Sequence, residues 1–229
     1  EEIAALFRTK GKYSRGAIVP QGHINETYCL TFNADGAAVR YILQKVNTNV
    51  FRTPDKLMDN IVRVTSHARA KIKAAGGDPG REVLNLVPTI HNAWFARTPD
   101  GGFWRMYDFI EGARTYERPD SPEQIYSASR AFGRFQRRLA DLPGGRLHET
   151  IPGFHDTRLR FKAFLKAVDQ DPQNRAAAVK PEIDFVLRHE GEIGLVLDGL
   201  ASGDIPERIT HNDTKLNNVM FDLVTGQGI

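Results

Sequence analysis

His211-Asn212-Asp213-Thr214-Lys215-Leu216-Asn217-Asn218-Val219-Met220-Phe221-Asp222 is the stretch on which the reading of the whole chain turns. It is a polar loop with apolar residues on either side, and it contains a His, one residue, an Asp, four residues and an Asn. A loop of that length can aim one carboxylate at an incoming hydroxyl and one amide oxygen at a metal ion carried on phosphates. Asp213 and Asn218 hold those positions. Lys215, two residues past Asp213, can bring positive charge toward a transferring phosphoryl group, whose equatorial oxygens are negative throughout the reaction. His211 suits a structural post at the start of the loop. The same residues would also make an ordinary polar turn, with Asp and Asn side chains bonding to the backbone, so the chemical reading needs support from the rest of the chain.

Upstream of the loop the chain changes character once. The first half reads as short strands with one long helix inserted. Two extended segments lie around Gly22 within Ile18 to Phe32, and an Asp35-Gly36 turn leads to a third, Val39 to Val46. By the two-residue period, Val39, Tyr41, Leu43 and Lys45 share one face of that strand and Arg40, Ile42, Gln44 and Val46 the other. Thr53-Pro54 opens a helix whose apolar face is Leu57, Ile61, Val64, Ala68 and Ile72, ending at Gly76-Gly77. Strands are expected at Leu86 to Ile90, Ala93 to Ala96 and Phe103 to Ile110. From Ser121 the pattern is helical: a capping box at Ser121-Pro122-Glu123-Gln124 precedes Ile125, Ala128, Phe132, Phe135 and Leu139, and further helices are expected over about 155–170 and 181–201. No internal repeat or low-complexity stretch is present.

Bulk composition narrows the class. The 229 residues are enough for one large domain or two lobes. Hydrophobic residues make up 41% and charged residues 26%, values of an ordinary globular chain. No apolar run approaches the roughly 20 residues of a membrane span, and the start EEIAALFRTK lacks the features of a signal peptide, so a cytoplasmic protein without membrane contact is expected. Cys29 is the single cysteine, which excludes an internal disulfide framework. Lys and Arg number 31 against 28 Asp and Glu, interspersed without a basic block, so no nucleic-acid partner is expected. Oligomeric state is left open. The absence of a starting Met and the ending GQGI suggest a chain incomplete at both ends.

The segment HNDTKLNNVMFD resembles the catalytic loop of the aminoglycoside phosphotransferase and choline kinase superfamily, and within it the N-acetylhexosamine 1-kinase group. Ordered correspondences extend through GHINETY, YILQKVNTNVF, YDFIEG and FGRFQRRLADLP, across nearly the whole chain. The resemblance implies an α+β, two-lobed, protein-kinase-like fold. A mainly antiparallel N-terminal sheet lobe at 1–110 would bind the nucleotide, and a helical C-terminal lobe at 111–229 would carry the catalytic loop. It further implies ATP and Mg2+ as cofactors and a small-molecule sugar or alcohol as acceptor.

Within that frame Asp213 is the expected base, Lys215 the phosphate-side cation and Asn218 a magnesium ligand. Gly22, Asn25 and Thr27, in Gly22-His23-Ile24-Asn25-Glu26-Thr27, become the turn over the phosphates, although alone they read as a hairpin turn. Lys45 becomes the strand lysine on the α and β phosphates, with Asp59 orienting it. A shift of one residue would put Gln44 there, and an exposed strand Lys fits the same pattern. Asp108 and Ile110, in Tyr107-Asp108-Phe109-Ile110-Glu111-Gly112, become the hinge on the adenine edge. His155, Thr157 and Arg158 could help to bind the acceptor or simply open a helix. The resemblance implies a further magnesium-binding Asp past Ile229, and Asp222 is read as a turn residue, not a substitute for it. Low activity is accordingly expected of the 229-residue form. The acceptor expected is the anomeric hydroxyl of an N-acetylhexosamine. An aminoglycoside, homoserine or a choline-like alcohol, or a noncatalytic nucleotide-binding module, are the competing expectations.

Overall fold

The computed structural model describes residues 1–20, 22 and 24–229. Its contacts divide the chain into two compact units, one formed by Glu1–Thr150 with Ile209–Ile229 and the other by Ile151–Arg208. The first unit holds both the sheet and the loop around Asp213, so the expected lobe boundary at 110/111 falls inside it.

The first unit begins with a 3-10 turn, Ala4–Leu6, and five strands: β1 Lys12–Ile18, β2 Glu26–Ala34, β3 Ala37–Lys45, β4 Ala96–Arg97 and β5 Phe103–Asp108. They pair antiparallel in the order β1-β2-β3-β5-β4. The hairpin between β2 and β3 has Asp35 at φ 52° and Gly36 at φ 86°, the left-handed pair that matches strand twist. Alternation gives the sheet two buried faces. Leu30, Phe32, Tyr41, Leu43, Trp104 and Met106 form one core with Ala4 and Phe7. On the other face Val46 and Phe103 pack with Met58, Leu57 and Ile61 of helix α1, Pro54–Ala74. Strand β5 therefore sends Trp104 and Met106 one way, and Phe103, with Arg105 and Tyr107 in phase with it, the other.

Helix α2, Pro122–Leu139, is capped as its sequence indicates: Ser121 Oγ accepts from Gln124 N–H at 3.3 Å. The reciprocal bond reaches one residue further back, from Asp120 N–H to Gln124 Oε1 at 2.7 Å. After the loop, strand β7 (Phe221–Asp222) pairs antiparallel with β6 (Ala113–Arg114), and Phe221 also bridges Gly228. Val219, Phe221 and Ala128 form a third core cluster, joined by Tyr116, Ala131, Phe132 and Leu216. The second unit is helical: α3 Thr157–Gln170, α4 Lys180–Arg188 and α5 Leu195–Ser202, with 3-10 turns at Ala176–Val179 and Glu190–Glu192.

Three expectations about elements are corrected. The helix expected over 181–201 is two helices, because Gly191 and Gly194 interrupt it and the chain tightens into the 3-10 turn at Glu190–Glu192. Leu86 to Ile90 makes only isolated bridges, Leu86 to Tyr107 and Phe7 to Thr89, since Pro88 has no N–H to continue a ladder. Of Ala93 to Ala96 only Ala96 enters a strand. Asn92 turns at φ 64° and Ala93 closes the turn, its carbonyl accepting from Thr89 N–H at 2.7 Å. No helix among the described residues is long and apolar enough to cross a membrane.

Candidate active site

The loop at 211–218 is clamped from below and open above. His211 contacts Phe132 and Phe135 of α2 edge-on, with ring centroids 5.4 and 5.7 Å apart, which gives it the structural post expected of it. Asn212 sits at φ 63°, a left-handed conformation that Asn tolerates, and Thr210 Oγ donates to its side chain at 2.5 Å. The loop then tightens into a 3-10 turn at Leu216–Asn218, with Asn217 Nδ2 bonded to Glu117 at 2.9 Å. These restraints leave the Asp213 carboxylate exposed but not free to swing. Asn218 Nδ2 donates to Asp213 Oδ2 at 2.8 Å and to its carbonyl at 2.7 Å, and Lys215 Nζ lies 3.4 Å from Oδ2. The Asn218 bond, followed by the Lys215 cation, holds the Asp213 carboxyl below the usual carboxylate range. Asp213, Lys215 and Asn218 are thus brought together. With Nδ2 spent on Asp213, Asn218 keeps Oδ1 as a potential metal ligand.

Asp222 lies in a different environment. Its Oδ1 accepts from the N–H groups of Val224 and Thr225 and from Thr225 Oγ, and its Oδ2 meets Arg81 Nη2 at 2.6 Å. The turn bonds to Thr225 come first among the causes that lower its pKa. Asp222 is therefore a turn residue. Among the described residues no cluster of three His, Cys, Asp or Glu could enclose a metal by itself. The residues present suit an ion held mainly by phosphates and water, with Asn218 as one protein ligand.

Above the loop is a cavity of about 470 Å³. Ile61, Val64 and Ala68 of α1, Phe132 and Phe135 of α2, and Val219 and Met220 after the loop make it largely apolar, and Asn218 opens into it. Ile110 lines it too and is 9% exposed. No main-chain bond engages the Ile110 amide among the described residues, whereas the N–H groups of Asp108 and Phe109 are taken by the carbonyls of Asn85 (2.9 Å) and Arg40 (3.1 Å). Of the two expected hinge residues, Ile110 lies on the cavity and Asp108 has its N–H committed elsewhere.

Lys45 does not reach this cavity. The pairing of β2 with β3 sets Glu26 opposite Lys45 and Thr27 opposite Gln44. Lys45 accordingly lies 3.9 Å from Glu26 and over the Trp104 ring, while Gln44 shares the face of Arg105. The proposed pairing of Lys45 with Asp59 is corrected as well, since Asp59 meets His148 Nε2 at 3.0 Å and Arg63 at 4.0 Å. The pleat is the physical reason: neighbouring residues point to opposite faces, and here the face of α1 belongs to Gln44.

The turn before β2 is partly described, and His23 of the expected phosphate turn lies outside the described residues. Gly22 is exposed at φ 97° with open space where a Cβ would stand. Asn25 Oδ1 accepts from Asn47 N–H at 3.0 Å, and Thr27 Oγ accepts from Gln44 Nε2 at 3.0 Å. His155, Thr157 and Arg158 belong to the second unit. There His155 packs edge-on against Phe154, Thr157 opens α3 after the Asp156 cap, and Arg158 holds Asp198 through Nη2 at 2.6 and 2.8 Å.

Two arginines escaped the sequence reading. Arg81 donates to the carbonyls of Glu111 and Gly112 as well as to Asp222, tying the expected hinge to the turn after the loop. Arg105 sits in the middle of β5 and is 9% exposed. A charged residue within Phe103-Trp104-Arg105-Met106-Tyr107 was the available signal.

An antiparallel sheet carrying one long helix, followed by a helical part and a loop presenting Asp213 beside Asn218, defines a protein-kinase-like α+β fold. The model of the phosphotransferase enzyme family, APH, matches residues 16–229, and the chain belongs to that family. Among solved structures, the crystal structure of a spectinomycin phosphotransferase in complex with ADP and spectinomycin is similar at a TM-score of 0.50 and 12% sequence identity. The match covers 94% of this chain and 62% of that one, so the chain spans under two thirds of that protein's length. At such identity the likeness concerns the fold.

Proposed function

We propose that the protein transfers the γ-phosphoryl group of ATP to a hydroxyl of a small molecule. The observation that carries this reading is the fixed carboxylate of Asp213, flanked by Lys215 at 3.4 Å and held at 2.8 Å by Nδ2 of Asn218, a residue that lines the cavity. Family membership supports it. In the proposed step the acceptor oxygen forms a bond to the γ phosphorus, the bond from that phosphorus to the β–γ bridging oxygen breaks, and ADP leaves. Asp213 orients the hydroxyl and takes its proton. Because its pKa is lowered it is a weak base, so orientation comes first and proton transfer late, as suits a loose phosphoryl-transfer transition state. Lys215 neutralises charge on the transferring group.

Ile110 offers its amide to the adenine edge, and the turn from Gly22 to Thr27 covers the phosphates. Mg2+ would be held by Asn218 Oδ1 together with phosphate oxygens and would offset phosphate charge. In this reading residues 1–110 form the nucleotide lobe and 111–229 the catalytic lobe. The acceptor is a sugar, the anomeric hydroxyl of an N-acetylhexosamine. The resemblance of HNDTKLNNVMFD and its companion segments is the support for that substrate. His155, Thr157 and Arg158 remain the proposed acceptor-side residues.

The test is incubation of the protein with magnesium ATP and a panel of N-acetylhexosamines, aminoglycosides, homoserine and choline, following phosphorylated product. Transfer that is lost in Asp213→Asn, with ADP binding retained, is the expected result. Product formed equally by both proteins removes Asp213 as the base, and ADP binding without transfer to any acceptor removes the phosphotransferase reading.

A further inference from the structure

We propose that Arg105 is the anion-binding residue of the sheet, holding a phosphoryl oxyanion inside the cavity. The class of ligand rests on the phosphotransferase reading, and the choice of residue rests on geometry alone. Arg105 is 9% exposed and lines the cavity. Its Nε is spent on Gln44 Oε1 at 3.1 Å, and Gln44 in turn donates to Thr27 Oγ at 3.0 Å. This fixes the plane of the guanidinium by a line of bonds that begins just after the turn at Gly22. Its Nη1, by contrast, is buried with no partner among the described residues. Among the described residues no carboxylate pairs with it: Glu82, the acid in the cavity lining, is held by Arg138. The Tyr107 ring lies 5.3 Å from the guanidinium carbon, but a ring face does not satisfy an in-plane N–H.

An uncompensated cation in the interior is destabilising, and an apolar residue of the same volume would serve the core better. A ligand explains why arginine is there. A second buried donor without a partner among the described residues, Arg134 Nε, belongs to the same lining. Two unsatisfied guanidinium donors in one lining suit a multiply charged oxyanion with lone pairs to spare, and phosphate is the anion that guanidinium forks match. Arg105 thereby fills the post that the sequence assigned to Lys45, from the neighbouring strand and on the correct face.

The test is calorimetric titration of the native protein, Arg105→Met and Arg105→Lys with ADP, adenosine and inorganic phosphate. Methionine matches the buried stem and removes the desolvated charge, so that variant is expected to fold, which thermal melting checks. A charged hydrogen bond lost at a buried site weakens ADP binding by about tenfold or more in Arg105→Met, with Arg105→Lys between and adenosine unchanged. That result assigns the oxyanion to the nucleotide. If instead phosphate binds the native protein and is lost from Arg105→Met while ADP is unaffected, the site holds a separate phosphate, which also upholds the proposal. Affinities for both ADP and phosphate that agree within about twofold between native protein and Arg105→Met overturn it, because loss of a charge-assisted bond exceeds that. Should the methionine variant not fold, native-like affinities in Arg105→Lys overturn it equally. ADP binding that ignores Arg105 leaves the phosphotransferase reading standing; phosphate binding without any ADP binding does the reverse.

Discussion

Replacing Phe221 by Ala should unseat the Asp213 loop before it unfolds the sheet. Phe221 is 1% exposed, packs with Val219 and Ala128, and meets Tyr116 edge-to-face at 5.3 Å and 86°. A Phe→Ala change at such a site costs about 3–5 kcal/mol from lost transfer energy and the cavity left behind. The aromatic pair accounts for roughly 0.5–1.5 kcal/mol of that. Against a net stability of about 5–15 kcal/mol for a domain, this is a large fraction. With a urea m-value of about 1–3 kcal/mol/M the denaturation midpoint falls by roughly 1–5 M. Val224→Ala, three residues on in the turn and 93% exposed, is the control and should stay within about 0.5 kcal/mol. Amide hydrogen exchange locates the effect. The N–H groups of Asp222 and Ile229, which bond to Gln227 and Met220 carbonyls at 2.9 Å, should lose protection before those of β2 and β3. A midpoint shift worth less than about 1 kcal/mol at unchanged m would refute the claim that this cluster seats the loop, since no core Phe truncation is that mild.

Three further outcomes are expected. Ser121→Ala removes the Oγ cap on Gln124 N–H and should cost about 1 kcal/mol in a urea melt, a neutral result meaning that α2 is held by packing alone. Gly11→Ala should be destabilising by more than Gly36→Ala. Both residues have positive φ, at 79° and 86°, but a Cβ on Gly11 runs into the Asn33 carbonyl while the space at Gly36 is open. Left-handed strain alone costs about 1 kcal/mol, so equal costs at both sites would rule out the steric part. In an NMR titration the Asp213 carboxyl should ionise below the ordinary value of about 3.9, and Asn218→Ala should move it upward. A depressed carboxylate contributes stability above its unfolded pKa and loses it as pH falls through the folded one, so this contribution is intact at neutral pH. A native midpoint at or above the ordinary value would sink that account.

The grouping of the loop residues and the layered fold were legible because their signals are local. Asp213, Lys215 and Asn218 lie within six residues of one another, so chain geometry alone brings them together, and the contacts confirm the grouping. The Thr53-Pro54 and Ser121-Pro122 helix starts and the Asp35-Gly36 turn are likewise set by neighbouring residues. The face of β3 was not legible in the same way. Its alternation separates Lys45 from Gln44 correctly, but period two cannot say which of two buried faces looks toward α1. Both faces here carry apolar residues, Tyr41 and Leu43 on one and Val46 on the other, so hydrophobicity does not break the tie. Lys45 drew the assignment because Leu43 shares its face, whereas the pairing of β3 with β5 puts Arg105 opposite Gln44.

Arg81 shows the limit from the other direction. It lies in an irregular segment with no motif, yet it bonds to Glu111 and Gly112, about 30 residues on, and to Asp222, 141 residues on. No periodicity could announce a contact of that span. Its consequence reaches back to the loop: the carbonyls it holds belong to the segment that presents Ile110 to the cavity, and the carboxylate it holds belongs to the turn that closes the hairpin after Phe221. One half-buried cation therefore ties the proposed adenine edge to the end of the hairpin after the Asp213 loop. That also explains why Asp222, the carboxylate nearest in sequence to Asn218, is committed to holding the fold and unavailable as a metal ligand.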